Sequence, residues 1–202
     1  MNLTAWLTIV GICALGAMSP GPSLAMVLKH TLAGGRRQGM IAGAVHGVGV
    51  GLYAFICLSG LAVLIVTSTT LFQLLQILGA LYLLWLGIQG LRSHAKPDQP
   101  MAEVETHAAV RDGFLIVFLN PKIAVFFIAL FSQVVGSETS LAARLGYAAT
   151  ALVLDGGWYV LVAWLFSNPR WLQHLQRKAV WLDRIFGVVL IGLAGKLAFE
   201  LI

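Results

Sequence analysis

Two ionisable residues deep inside apolar segments are the strongest candidates for chemistry in this sequence. Asp155 lies near the middle of one apolar run, beside Gly156 and Gly157, and Lys122 lies inside another. Burial favours the neutral form of a carboxyl group, whereas a nearby cation favours its charged form. An aspartate that moves between two such environments would bind and release a proton. Lys122 is the expected cation, and it could pair with Asp155 or bind a substrate carboxylate. The alternative is a static buried ion pair that only fixes helix packing.

The remaining titratable side chains carry weaker signals. His46 could share a proton near neutral pH, or it could hydrogen-bond a neighbouring backbone group. Lys196 and Glu200 stand four residues apart near the end of the chain, so snorkelling and a local contact explain them without a function. Cys13 and Cys57 lie inside separate apolar segments, and we expect both to be small buried hydrophobes.

Two proline-containing breaks interrupt the apolar segments, one at residues 19–22 and one at residues 120–122. Proline removes a helical hydrogen bond, and unpaired backbone groups at membrane depth are tolerated only against protein or a water-filled cavity. The alternative is an ordinary helix kink. In the second break, Asn120 could bind substrate or cap the broken helix. The predicted substrate or proton pathway consists of Ser19, Pro20, Gly21, Pro22, His46, Asn120, Pro121, Lys122 and Asp155.

The composition places these residues in a membrane protein. Of the 202 residues, 59% are hydrophobic and only 10% are charged, whereas about a quarter of a soluble domain is charged. The apolar runs are continuous rather than alternating, which excludes a transmembrane β-barrel. The basic residues are scattered at the ends of these runs and form no patch that would bind nucleic acid.

Six apolar segments can cross the bilayer, since a transmembrane helix needs about 20 apolar residues. A polar turn at residues 67–70 divides one long uncharged run into two spans. The predicted spans are residues 3–28, 39–66, 71–91, 113–135, 145–167 and 182–201. We therefore expect an all-α membrane protein with six transmembrane helices.

The charges in the loops predict the orientation. The loops after the first, third and fifth spans, together with Arg184 at the start of the sixth span, hold ten Lys or Arg residues, whereas the other two loops hold only Arg144. Basic loops stay in the cytoplasm. We therefore expect the N- and C-termini to lie outside.

The two halves of the chain resemble one another. Gly79 and Gly87 of the third segment recur 108 residues later as Gly187 and Gly195 of the sixth, and the proline breaks lie in the first and fourth segments. A unit of three spans must insert upside down the second time, and such inverted repeats are typical of secondary transporters. The expected organisation is a first repeat at 1–92, a cytoplasmic linker at 93–112 and a second repeat at 113–202.

These patterns together resemble the LysE/RhtB-type amino-acid exporters, the family of lysine exporters and homoserine/threonine resistance proteins. The resemblance covers nearly the whole chain. It rests on the two proline breaks, on Gly-Arg-Arg-Gln-Gly at 35–39, on Gly-Ala-Leu-Tyr-Leu at 79–83 followed by Gly87, and on Asp155. It implies a prokaryotic inner-membrane exporter of amino acids or related small metabolites, driven by proton exchange, in which both proline breaks line the pathway.

Three functions stay open at this point. The leading hypothesis is a secondary active exporter that works by proton antiport, and the second is a passive facilitator or channel for small zwitterionic solutes. The third, a membrane enzyme or redox conduit, lacks a metal-ligand or catalytic set in the sequence, so we expect no enzyme, metal or cofactor. The expected partners are an amino-acid substrate, protons and the lipid bilayer, and the oligomeric state stays open, a homo-oligomer included.

Overall fold

The chain folds into seven helices over the residues that the structure, a computed structural model, describes: 3–92, 108–136 and 139–200. The expected linker at 93–112 lies mostly outside these residues. No strand occurs in the described ranges, so the all-helical prediction is confirmed for them. The helices are α1 (Leu3–Met18), α2 (Pro22–Thr67), α3 (Thr69–Leu91), α4 (Ala108–Leu119), α5 (Pro121–Phe131), α6 (Leu141–Phe166) and α7 (Pro169–Glu200).

Gly35 divides α2 into two helices. Its φ of 84° and ψ of 167° belong to a region of backbone conformation that is essentially restricted to glycine. A straight helix of 46 residues would be about 69 Å long, more than twice the roughly 30 Å of membrane hydrocarbon. The break leaves a short helix (residues 22–34) and a long one (residues 36–67). The prediction of a loop between the first and second spans is therefore wrong except at Gly35, because the surrounding Leu, Lys, Arg and Gln residues favour helix.

A row of glycines brings α2 and α6 into close contact. Four glycines that recur every four residues share one face of α2: Gly39, Gly43, Gly47 and Gly51. Their neighbours on α6 descend in number along that row: Ala163, Tyr159, Gly156 and Leu152. This order shows that the two helices run antiparallel. Small residues allow helix backbones to approach one another closely in a membrane.

The helices α3 and α7 pack in a similar way. Gly87 and Gly90 of α3 face Ile191, Gly187 and Asp183 of α7, again in antiparallel order. The helix α3 begins after Ser68, whose hydroxyl accepts a hydrogen bond from the backbone N–H of Leu71. The polar turn predicted at 67–70 is thus a one-residue junction between helices.

Three helices, α2, α3 and α6, are each long and apolar enough to cross a membrane. The helices α4 and α5, bent by 57° at their junction, form a fourth candidate span. The helix α1 is apolar but has only 16 residues, because the first proline break ends it. Residues 169–181, expected as a loop, belong to α7. The total of six spans and the position of the termini stay predictions.

The contact between Gly47 and Gly156 predicts a strong effect of one added methyl group. A Cβ at Gly47 would lie 2.5 Å from the Gly156 Cα, so Gly47→Ala should destabilise the protein by about 1–3 kcal/mol through overpacking. The measurement is thermal unfolding in detergent micelles. The matched control is Gly60→Ala on the same helix, where a Cβ meets nothing within 4 Å. Equal melting temperatures for the two variants would contradict this close packing.

Candidate functional site

The first break separates α1 from α2 through two prolines. The helix α1 ends with a hydrogen bond from the Ser19 N–H to the Gly16 carbonyl, and α2 starts with one from the Ala25 N–H to the Gly21 carbonyl. Pro22 occupies the first position of α2, where its missing N–H costs no helical hydrogen bond. Residues 19–21 between these two hydrogen bonds belong to neither helix.

The second break, between α4 and α5, is centred on Asn120. The residue before a proline avoids the helical region, and Asn120 is extended, with φ −93° and ψ 104°. Its Oδ1 accepts a hydrogen bond of 3.0 Å from the backbone N–H of Lys122. Of the two roles considered for Asn120, capping of the broken helix is thus the one that the structure shows. The side chain of Pro121 lies outside the described part of the structure.

The two breaks border the same cavity. Pro20 is not on its wall, although its carbonyl oxygen contacts Lys122. The predicted pathway residues on the wall are Ser19, Gly21, Pro22, His46, Asn120, Lys122 and Asp155. Residues far apart in the sequence therefore meet around one space.

Lys122 reaches from the second break to the first. Its Nζ donates to the Ser19 hydroxyl at 2.5 Å and lies 3.4 Å from the Pro20 carbonyl oxygen. The ammonium group also lies 4.6 Å from the centre of the Phe186 ring, within range of a cation–π interaction. Of the two partners considered for Lys122, Asp155 is not the one it contacts in this structure, where the oxygens of the first break bind the lysine.

Asp155 pairs with His46. Its Oδ2 lies 2.6 Å from His46 Nδ1, and His46 Nε2 lies 2.9 Å from the Ser23 hydroxyl. Ser23, His46 and Asp155 all line the cavity. The side chain of Asp155 is 13% exposed and that of His46 only 1%. The suggested backbone partner of His46 is wrong, because both ring nitrogens bond to side chains.

The sequence reasoning missed two residues of this group, Ser23 and Tyr159. The ring of Tyr159 packs edge-on against His46, with 4.9 Å between ring centres, and both residues border the cavity. A signal for each was present. Tyr159 follows Asp155 by one helical turn and so shares its face, and Ser23 directly follows the first break.

A second histidine–carboxylate contact lies outside the cavity wall. Nε2 of the buried His30 is 3.2 Å from Oδ2 of Asp112, and Arg111 Nε donates to Oδ1 of the same carboxylate at 3.1 Å. This cluster joins the short helix of α2 to α4. The sequence reasoning did not single it out, because both partners fall in stretches expected as loop and linker.

The sequence predicts structural roles only for Cys13, Cys57 and Lys196. Cys13 is buried and Cys57 half-buried, and both are free thiols. Lys196 is exposed near the end of α7, and the side chain of its suggested partner Glu200 lies outside the described residues. Within the described ranges, no three His, Cys, Asp or Glu side chains form a group that could hold a metal ion.

Comparison with known proteins decides the family. The model of the LysE type translocator family matches residues 14–201. The chain belongs to the LysE type translocator family. The resemblance found in the sequence is thus confirmed, and the chain is a multi-pass protein of the bacterial inner membrane. A family of translocators also agrees with the expectation that the protein is not an enzyme.

The relatives of this chain include proteins named for amino-acid efflux. It is 32% identical to the threonine efflux protein of Escherichia coli (strain K12) over 196 residues, which cover 94% of this chain and 95% of the relative. It is 29% identical to the leucine efflux protein of Enterobacter sp. (strain 638) over 208 residues, which cover 97% and 95% of the two chains. No solved structure matches the chain.

Proposed function

We propose that this translocator exports amino acids from the cytoplasm in exchange for protons. The observation that carries the proposal is that Lys122 and the histidine-bound Asp155 line the same cavity. An amino acid carries one group complementary to each. The threonine and leucine efflux proteins among the relatives support the same class of cargo.

The helix packing supports two inverted repeats, 1–92 and 113–202, joined by the linker 93–112. The helices α2 and α6 pair with one another, as do α3 and α7, and both pairs are antiparallel. The helix α1 packs on α6, while its counterpart α4 packs on α2. An axis in the membrane plane that exchanges the halves would produce this pattern. With the ten basic residues between alternate predicted spans in the cytoplasm, both termini lie outside.

In the proposed complex, the substrate carboxylate binds Lys122 and the Ser19 hydroxyl, and its ammonium group binds Asp155. Charge-assisted hydrogen bonds of this kind are about twice as strong as neutral ones. His46 holds the carboxylate of Asp155 through Nδ1 while Ser23 holds the other ring nitrogen. The position of the Asp155 carboxylate is therefore fixed before a substrate arrives.

Competition for Asp155 accounts for the exchange. A proton on the Asp155–His46 pair removes the negative charge available to an ammonium group, so proton and amino acid exclude one another. A zwitterionic substrate has no net charge, and the membrane potential does no work on it. One proton entering contributes about 2.3 kcal/mol per 100 mV, and since about 1.4 kcal/mol is tenfold, it supports a gradient of roughly fifty-fold.

Asp155→Asn should abolish uphill export, because the amide can neither exchange a proton nor neutralise an ammonium group. The measurement is transport of radiolabelled leucine or threonine by proteoliposomes under an imposed proton gradient, and the initial rate should fall at least tenfold. The control is Asp112→Asn, which changes a histidine-bound carboxylate outside the cavity wall. Undiminished uphill transport by Asp155→Asn would remove this residue from the mechanism. Wild-type transport that is unaffected by a proton uncoupler would favour the passive facilitator.

Lys122→Met should weaken amino-acid binding about ten- to a hundred-fold, the equivalent of losing a charged hydrogen bond of about 1.5–3 kcal/mol. The methionine keeps most of the side-chain volume next to Phe186. Binding is measured by calorimetry on purified protein in detergent. Lys196→Met, at the exposed end of α7, is the control and should bind as the wild type does. An unchanged dissociation constant for Lys122→Met would contradict the carboxylate subsite.

A serine hydrolase is the second candidate, because Ser23, His46 and Asp155 are bonded in the order of a catalytic triad. Ser23 is only 6% exposed, and the family is one of translocators, so we expect no reactive serine. The intact mass of the protein after treatment with a fluorophosphonate measures this. An adduct that Ser23→Ala removes would support the hydrolase instead.

A further inference from the structure

The apolar part of the cavity wall is dominated by three phenylalanine rings, Phe126, Phe127 and Phe186, here called the aromatic wall. The ring centres of Phe126 and Phe127 are 5.5 Å apart, and those of Phe126 and Phe186 are 6.5 Å apart. Val50 and Ile123 extend the same apolar surface. This surface lies beside the charged groups of the cavity, and its own side chains carry no charge.

The α-carboxylate and α-ammonium groups of a bound amino acid would pair with all the charged groups on the wall. Among the described residues that border the cavity, Lys122, Asp155 and His46 are the ones that can carry charge at neutral pH. In the proposed complex they bind the carboxylate and the ammonium group, which every amino acid has. A charged substrate side chain would therefore lie in the cavity without a counter-charge, and burial of an unpaired charge is costly.

Phe126 is placed to meet the substrate side chain. It follows Lys122 by four residues on α5, so the two side chains share a face with their Cβ atoms about 5–6 Å apart. The Lys122 ammonium group lies 4.6 Å from the centre of the Phe186 ring, and that centre is 6.5 Å from the centre of the Phe126 ring. A substrate held at Lys122 therefore lies beside the aromatic wall.

Gly16 of α1 determines how far this ring can reach. A Cβ at Gly16 would lie 2.9 Å from Cζ of Phe126, which is closer than carbon atoms pack. The ring therefore touches the backbone of α1 and closes the space between α1 and α5. With Phe127 and Phe186 packed on its other sides, the ring displaced by a Cβ at Gly16 would move into the cavity.

We propose that Phe126, seated against Gly16, is the specificity-determining residue of this cavity and selects neutral amino acids with apolar side chains of limited size. This inference rests on the proposed export function, because it assumes an amino acid bound between Lys122 and Asp155. The Phe126 ring sets the upper limit on side-chain length, and the absence of a counter-charge rejects basic and acidic side chains.

The test is competition against radiolabelled leucine in proteoliposomes, with alanine, leucine, phenylalanine, lysine and glutamate as competitors. Wild-type protein should prefer leucine over lysine and glutamate at least tenfold. Phe126→Ala should improve phenylalanine relative to leucine at least tenfold, and Phe126→Leu should do so to a smaller extent if the alanine variant is unstable. Gly16→Ala should shift the preference towards alanine.

Matched variants separate specificity from general damage. Phe118→Ala changes an exposed phenylalanine of α4, and Gly11→Ala adds a methyl group on α1 where nothing lies within 4 Å; both should keep the wild-type order of competitors. An unchanged order in both Phe126 variants, or lysine competing as well as leucine in the wild type, would overturn the inference while export itself stands. Wild-type protein that transports no amino acid would instead contradict the proposed function.

Discussion

Polar groups that cannot be left unpaired inside an apolar helix bundle are the constraint on which this structure depends. In hydrocarbon, each free backbone group or charge needs a partner from the protein or from a water-filled space. The two proline breaks create free backbone groups, and Lys122 and Asp155 bring charge. The structure places them together, so that the lysine ammonium binds the carbonyl oxygen and hydroxyl of the first break. The first break therefore supplies hydrogen-bond partners for the lysine, and the lysine supplies one for the break.

The glycine contacts set the distances over which those partners can meet. His46 lies between Gly43 and Gly47 on α2, and Asp155 directly precedes Gly156 on α6. Because these glycines allow the two helix backbones to touch, a short aspartate side chain can reach the imidazole at 2.6 Å. A larger residue at Gly47 would separate the helices and with them the hydrogen-bonded pair. The packing of α2 on α6 and the position of the Asp155–His46 pair therefore depend on the same glycines.

The sequence predicted the kinds of residue in the site better than their partners. Asp155, Lys122 and the two breaks were found because charge and proline are rare inside apolar runs. The pairing of Lys122 with Ser19, and of Asp155 with His46, depends on which helices face one another, and the spacing along one chain does not contain that information. Ser23 and Tyr159 were missed because hydroxyl groups are common in membrane helices. The break at Gly35 was hidden because a basic stretch with several glycines looks like a loop throughout its length.

The contacts that would bind a substrate are also the contacts that join the two halves of the chain. Lys122, from the second half, holds the first break, and Asp155, also from the second half, holds His46 of the first. On the proposed mechanism, an amino acid that takes over Lys122 and Asp155 replaces both of these links. A proton on the Asp155–His46 pair leaves the lysine contact in place. The amino acid and the proton would then act on the interface between the halves in different ways. An exchanger needs this difference, because its cavity must change the side on which it opens only when one of the two is bound.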